Sequence, residues 1–519
     1  MKKAIYLIIA LIGLSAPSCS DSMLDFSPTD SGSGKELLKS ASTAITSVNG
    51  VYRSMWTAGW STTANTHQCF GIAAYNLALD CMADDLIMQS QGNGWFWGDH
   101  CYNVKSNYTS SAFRSYDVWY ANYKWIANVN YIIDAEPEMA GTEADVAYVA
   151  GQAYAIRALC YLNLATWFSR APYNSLTGAS RWNEPCVPVY TTGTSIDTGG
   201  QPRESLRTVY GRIDQDIDRA IELLEKARET TLAENNKSHI NLYVALGIKS
   251  RACLAEGDWD GAFKAAKRVI DEGGYAVGTK SDLTGGMNSL DKQNVMWGAG
   301  IQVADQAGGY AGFFTHMDKK EGAYAKSAPK LISKQLYNRI SATDIRRDWW
   351  DPSDKESPYV SKKFSFANVA SFLGDYIYMR VEEMYFTAAE AALRLDDLKN
   401  ARELMNTVMA ERDPGYSANN RSGTLLGATT TTWTGSFLEN ILTHRRIELW
   451  GEYGRLFDVR RLGQGIDRRT DDGFSEECIS MMNRRNVNIT KADTYDWVLT
   501  IPKAELNANP NINEEDQNP

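Results

Sequence analysis

The sequence is short of histidine, of closely paired cysteines and of basic charge, and each shortage closes a class of function. Five histidines in 519 residues leave little room for a multi-histidine metal site, which takes two or three imidazoles at once. No C-x-x-C occurs, which argues against zinc ribbons and thioredoxin-like redox sites. Lys and Arg number 53 against 63 Asp and Glu, for a net charge of −10. That balance does not suit a protein that coats DNA or RNA, whose phosphates need clustered cations. The chain has no G-x-S-x-G elbow, H-E-x-x-H, P-loop or EF-hand loop. Asp84-Asp85 is the nearest thing to a carboxylate pair, but adjacent side chains on a regular element diverge. The sequence therefore predicts no catalytic residue, cofactor, metal or nucleic-acid partner.

What is present is an ordinary globular composition, 44% hydrophobic and 22% charged. Trp and Tyr number 15 and 27 against 15 Phe, so most rings carry a polar handle suited to a wet binding surface. Lys2 and Lys3, the apolar run Ile5 to Leu14 and then Ala16-Pro17-Ser18-Cys19 have the layout of an export signal, too short to span a bilayer. A cysteine placed there predicts a bacterial lipoprotein. Residues 1–18 are the signal, Cys19 is the lipidated first mature residue and residues 19–35 are a polar tether. No later run of 18 apolar residues follows, so the lipid is the expected anchor. Seven cysteines remain beyond Cys19. Cys69, Cys81 and Cys101 share one Gly- and Trp-rich region in which a disulfide is open, while Cys160 and Cys253 read as buried thiols.

Residues 36–519 read as one mostly α domain. Helical spacing predicts Glu36 to about Trp56 and Phe113 to Asp134. Three further segments resemble one another: Val146 to Phe168, Leu242 to Ile270 and Val381 to Met409. The second and third consist of a helix, a short turn (Gly257-Asp258-Trp259 or Asp396-Asp397) and another helix, with alanines where helices must approach. The first finds its partner helix at Ser205 to Ala227. This is the pattern of tetratricopeptide-like helix pairs, which bury their apolar faces by stacking on neighbours. The expected fold is such a scaffold carrying large loop-rich insertions at about 57–110, 273–378 and 413–435. Strand-like pieces stand at Val295 to Ile301 and Tyr376 to Met379.

Two kinds of candidate site emerge. In His444 to Arg461, Arg445, Glu448, Glu452 and Arg455 fall at helical spacings. They read as an ion-pair network tying a helix to its neighbours more than as a ligand clamp. Trp95-Phe96-Trp97 is different, because it lies between Gly94 and Gly98 with Asn93 and Asp99 beside it. Such a run either folds onto the core or presents flat ring faces to sugar C–H faces while Asn and Asp bond hydroxyls. Tyr310, Phe313 and Phe314 form a similar cluster among glycines. The ligand-binding candidates are therefore Asn93, Trp95, Trp97, Asp99, Tyr310, Phe313 and Phe314. Trp349-Trp350 reads as structural.

Four stretches carry a family resemblance. They are Cys19 with Leu24-Asp25 and Pro28; Ala155-Ile156-Arg157-Ala158 with Tyr161, Trp167-Phe168 and Pro172; Arg446, Glu448-Leu449, Glu452, Arg455, Asp458, Arg460-Arg461 and Gly463; and Ile501-Pro502, Glu505-Leu506, Asn509-Pro510, Ile512 and Gln517-Asn518-Pro519. The chain resembles the SusD/RagB family of outer-membrane nutrient-binding lipoproteins, departing from its pattern at Tyr453, where a glycine is usual. The resemblance implies a SusD-like fold and a non-enzymatic, cell-surface role in a Bacteroidetes-type bacterium. That role is capture of an oligosaccharide or polysaccharide and its delivery to a SusC-like TonB-dependent transporter. The alternatives are a surface glycosidase, or a binder of peptide or another non-glycan nutrient. The shared motifs carry no ligand residues, so the site candidates rest on the loop aromatics alone.

Overall fold

The computed structural model describes residues 34–57, 65–103, 113–195, 197–233, 237–302, 311–492 and 494–519. Cys19 and Tyr310 lie outside them. The scaffold is a stack of helices: α1 (Ala41–Ser54), α2 (Ile72–Met82), α3 (Phe113–Ala135), α4 (Glu143–Phe168), α5 (Leu206–Lys226), α6 (Leu242–Glu256), α7 (Trp259–Glu272), α8 (Val381–Arg394), α9 (Leu398–Ala410), α10 (Phe437–Glu448) and α11 (Arg455–Leu462). Helices α3 to α7 pack in order, each on the next, and α7 then meets α8 across the middle insertion.

Local chemistry sets these boundaries. Thr142, Ser205, Asn241, Asp258, Asp397 and Ser436 each accept a backbone N–H from the first turn of the helix they precede, and each such cap is worth about 1 kcal/mol. Gly257 closes α6 in the left-handed conformation, φ 77°, which glycine adopts without a Cβ clash. Where α4 crosses α5, a Cβ on Gly151 would lie 2.9 Å from the Leu224 side chain, so a small residue is required. Arg157 ties three helices and a loop together. It holds Asp216 at 2.7 and 2.8 Å, the Asn130 side chain at 2.7 Å and the Thr191 carbonyl at 2.8 Å.

One expectation is corrected in the first insertion. Residues 57–110 read as loops, yet α2 lies there. Every residue of α2 except Asn76 is buried, so it shows no polar face and hence no amphipathic period. The strand pieces behave as read: β2 (Val295–Ala299) pairs antiparallel with β6 (Tyr376–Arg380). A second small sheet has the order β1 (Leu86–Ile87), β3 (Leu331–Ile332), β5 (Val360–Ser361), β4 (Trp350–Asp351). It joins the first insertion to the middle one.

The charged motif is also rearranged. It is two helices, α10 and α11, separated by a turn with Gly451 at φ 76° and Gly454 at φ 85°. Arg445, Glu448, Glu452 and Arg455 do not pair with one another. Glu448 receives Arg346 at 3.1 Å, Arg380 at 2.9 Å and Arg412 at 2.9 and 3.0 Å. Glu452 receives Arg380 at 2.7 Å and also Lys363. Arg445 bonds Asp458, and Arg455 reaches Asp84 and Asp85, which converge on it and on Arg446. Asp84 and Asp85 thus meet, because they leave the end of α2 on irregular backbone. Burial alone disfavours charge on Glu448 and Glu452, but the facing guanidiniums override it and hold both below the usual carboxylate range.

Asp80, on α2, behaves in the opposite way. Its Oδ1 accepts the Arg455 backbone N–H at 2.7 Å, while its Oδ2 is buried without a partner. Burial pushes this carboxyl up to about 7. The folded state therefore keeps a proton that the unfolded chain releases near 3.9. The resulting contribution is fully present below that value and is lost as pH rises through about 7. Asp80→Asn keeps the acceptor and removes the charge. Between pH 5 and 8 its stability is expected to fall less than that of wild type, with a difference of about 2–3 kcal/mol. Parallel pH dependences for the two proteins, followed by thermal melts, would contradict this.

All seven cysteines beyond Cys19 are buried free thiols. No disulfide joins Cys69, Cys81 and Cys101, which is the outcome opposite to the one left open above.

Candidate functional site

The β1–β3 pairing, Leu86 opposite Ile332, brings residues 89–97 beside residues 323–330. Gly92 sits there at φ 51°, and a Cβ on it would lie 2.4 Å from the Ser327 carbonyl oxygen. Asn93 secures the loop. Its Nδ2 donates to the Tyr324 carbonyl at 3.2 Å, and its Oδ1 accepts the Trp95 N–H at 3.1 Å. Phe96 takes the left-handed conformation, φ 62°, and its N–H donates to Gln68 at 2.9 Å.

That backbone sends the three neighbouring rings in different directions. Phe96 enters the core between Phe70 and His316. Trp97 starts a short helix, Trp97–His100, and is 4% exposed. Trp95 remains half-buried and stacks on His67, with centroids 4.9 Å apart and planes 18° apart. Tyr324 completes a triangle of rings, 5.5 Å from His67 edge to face and 6.2 Å from Trp95. The Tyr324 hydroxyl bonds His67 Nδ1. Behind them His316 Nε2 lies 2.6 Å from the His67 carbonyl. Burial, then Lys330, holds His316 well below the usual histidine range. It is therefore neutral, with its proton on the nitrogen that donates. The platform of Trp95, His67 and Tyr324, with Asn93 at its edge, is thus braced from behind.

The other candidates are corrected. Asp99 has no exposed surface and accepts both arms of Arg114, at 2.7 and 2.9 Å, so it anchors the loop and offers nothing to a ligand's hydroxyls. Trp97 is buried by the turn at Phe96. Phe313 and Phe314 lie in a short helix, Phe313–Met317, packed against Phe364 and Tyr376, and both are buried. Trp349 and Trp350 are buried, as read. Sequence reasoning missed His67 and Tyr324. They are 257 residues apart, and the available signal was weak: one of five histidines beside a Trp- and Gly-rich stretch. Among the described residues no group of three or more His, Cys, Asp or Glu could hold a metal ion.

A stack of helices carrying loop-rich insertions is a fold shared with proteins of known structure. The family model described as the SusD family matches residues 332–519, and one described as starch-binding, associating with outer membrane, matches residues 43–254. The chain belongs to the SusD/RagB family. A SusD-like carbohydrate binding protein from Bacteroides vulgatus is 25% identical, with a TM-score of 0.72 over 92% of this chain and 98% of its own. A SusD superfamily protein from Bacteroides thetaiotaomicron is 22% identical, with a TM-score of 0.74 over 92% and 100%. Surface glycan-binding protein A from Bacteroides thetaiotaomicron, in complex with laminarihexaose, shares the fold at 15% identity, with a TM-score of 0.62 over 92% and 99%. No curated protein sequence matches the chain.

Proposed function

We propose that the protein binds an oligosaccharide at the cell surface and passes it, unmodified, to a SusC-like TonB-dependent transporter. The observation that carries this reading is the half-buried Trp95 face, held on His67 beside Tyr324. A braced indole keeps little conformational freedom to lose on binding, which favours affinity. An apolar ring face flanked by an amide and a phenol suits a ligand with C–H faces and hydroxyl edges. Asn93 and Trp95 are the residues proposed to meet it, with His67 and Tyr324 added. Membership of the SusD/RagB family and the fold shared with a carbohydrate binding protein support the ligand class.

The test is an array of neutral and charged glycans, with a peptide library beside it, probed with the mature chain. Retention of a glycan without new reducing ends is expected. Peptide binding alone, or cleavage of the glycan, would overturn the reading. The anchor is tested separately. Cys19→Ala is expected to leave the melting temperature unchanged and to release the protein from the membrane fraction of cells lacking the transporter. Continued co-fractionation with outer membrane would place the anchor elsewhere.

A further inference from the structure

A second cleft lies on other elements altogether. It holds about 450 Å³ between α3, Tyr190, Thr194, Ser195, Thr198 and Glu505, within the range of about 300–1,000 Å³ for small-molecule sites. None of the residues of the Trp95 platform lines it. Its walls are aromatic. The rings of Trp119 and Tyr123 are 4.9 Å apart, and Tyr190 stands perpendicular to Tyr123 at 5.9 Å. Tyr120 continues the surface, stacked on Tyr116 at 5.5 Å with planes 9° apart.

Several of these rings are fixed by their polar ends. Trp119 Nε1 donates to Glu505 at 3.2 Å, and the Tyr123 hydroxyl donates to the Pro188 carbonyl at 2.7 Å. The Tyr190 hydroxyl accepts the Gln201 N–H at 3.0 Å. Polar handles with partners already in place leave the ring bodies to meet a ligand, at little ordering cost. The remaining lining is the apolar Ile126 and Ala127, one ammonium, Lys124, one carboxylate, Glu505, and the hydroxyl-bearing Thr194, Ser195 and Thr198. One positive and one negative group give no net charge, so the cleft does not select a polyanion or a polycation. Ring faces, hydroxyls and isolated single charges together match the C–H faces and hydroxyl edges of an uncharged sugar.

We infer that this cleft is a second saccharide site, taking a short stretch of neutral glycan independently of the Trp95 platform. Two sites on one anchored protein would hold a long polymer more tightly than either alone, provided that the chain spans both.

The test uses the mature chain and an array of neutral hexasaccharides (α- and β-glucan, mannan, xylan and galactan), with an oligogalacturonate as the charged control. Trp95→Ala silences the platform. It is expected to retain binding to at least one neutral hexasaccharide and not to the oligogalacturonate. Adding Tyr120→Ala should weaken that residual binding at least tenfold. Adding Ser195→Trp instead fills the cleft from its exposed rim and should do the same without a change in melting temperature. If wild type binds a hexasaccharide and Trp95→Ala binds none, the cleft is no saccharide site and the platform stands. If both cleft substitutions leave the residual binding unchanged, the inference also falls. If Tyr120→Ala abolishes wild-type binding and Trp95→Ala does not, the cleft stands and the platform reading falls.

Discussion

Replacing Glu448 with alanine is expected to cost about 3–5 kcal/mol of stability, a third or more of what many domains possess. The reason is the company it keeps. Arg346, Arg380 and Arg412 all bond this one carboxylate, and each of the four side chains has no exposed surface. Asp344, Glu382 and Glu452 share the cations with it. Removing Glu448 leaves four buried cations, the three guanidiniums and the Lys363 ammonium on Glu452, to share three carboxylates in low dielectric. Glu403→Ala is the contrast. That residue pairs with Lys399 at 3.9 Å, and both side chains are mostly exposed, so its loss should cost less than about 1 kcal/mol. Urea melts of the two variants test this. Glu448→Ala should unfold well before Glu403→Ala, and any fraction that stays folded should bind ligand as wild type does. Coincident melts would mean that the network does not hold the insertions to the scaffold.

Trp95→Ala should give the converse result, with the platform's affinity lost and the fold kept. Stacking a sugar on one indole face removes about 80 Å² of apolar surface from water, which at about 25 cal/mol per Å² is roughly 2 kcal/mol, or close to 30-fold in affinity. The stability cost is smaller than the 3–5 kcal/mol of a core tryptophan, because Trp95 is only half-buried and its chief loss is the stack on His67, about 0.5–1.5 kcal/mol. Trp97→Ala, by contrast, should destabilise by the full core amount. Calorimetric titration and thermal melts on both variants separate the two residues. Equal behaviour would contradict the divergence set by the backbone at Phe96.

The scaffold was legible because its helices repeat a visible pattern of alanines, caps and turns, as at Gly257-Asp258 and Asp396-Asp397. Helix α2 was not, since burial on every side removes the polar half of the period. In the charged motif the residue types were readable but the partners were not. Glu448 reaches residues 36 to 102 positions away, and two glycines at positive φ break the single helix that the spacing suggested. At the candidate site, Asn93 and Trp95 stay partly exposed on their loop. Trp97 and Asp99, equal candidates by composition, turn inward because one left-handed residue separates the two tryptophans. Their fate depended on a backbone torsion, and Tyr324 and His67 depended on a strand pairing, neither of which leaves a local trace in sequence.

The most direct test is a crystal structure of residues 19–519 with the hexasaccharide that binds best on the array. A sugar ring is expected to lie flat on Trp95, with hydroxyls within hydrogen-bonding distance of Asn93 or Tyr324 and the His67 stack unchanged. A saccharide bound elsewhere, with the Trp95 face still open to solvent, would contradict it.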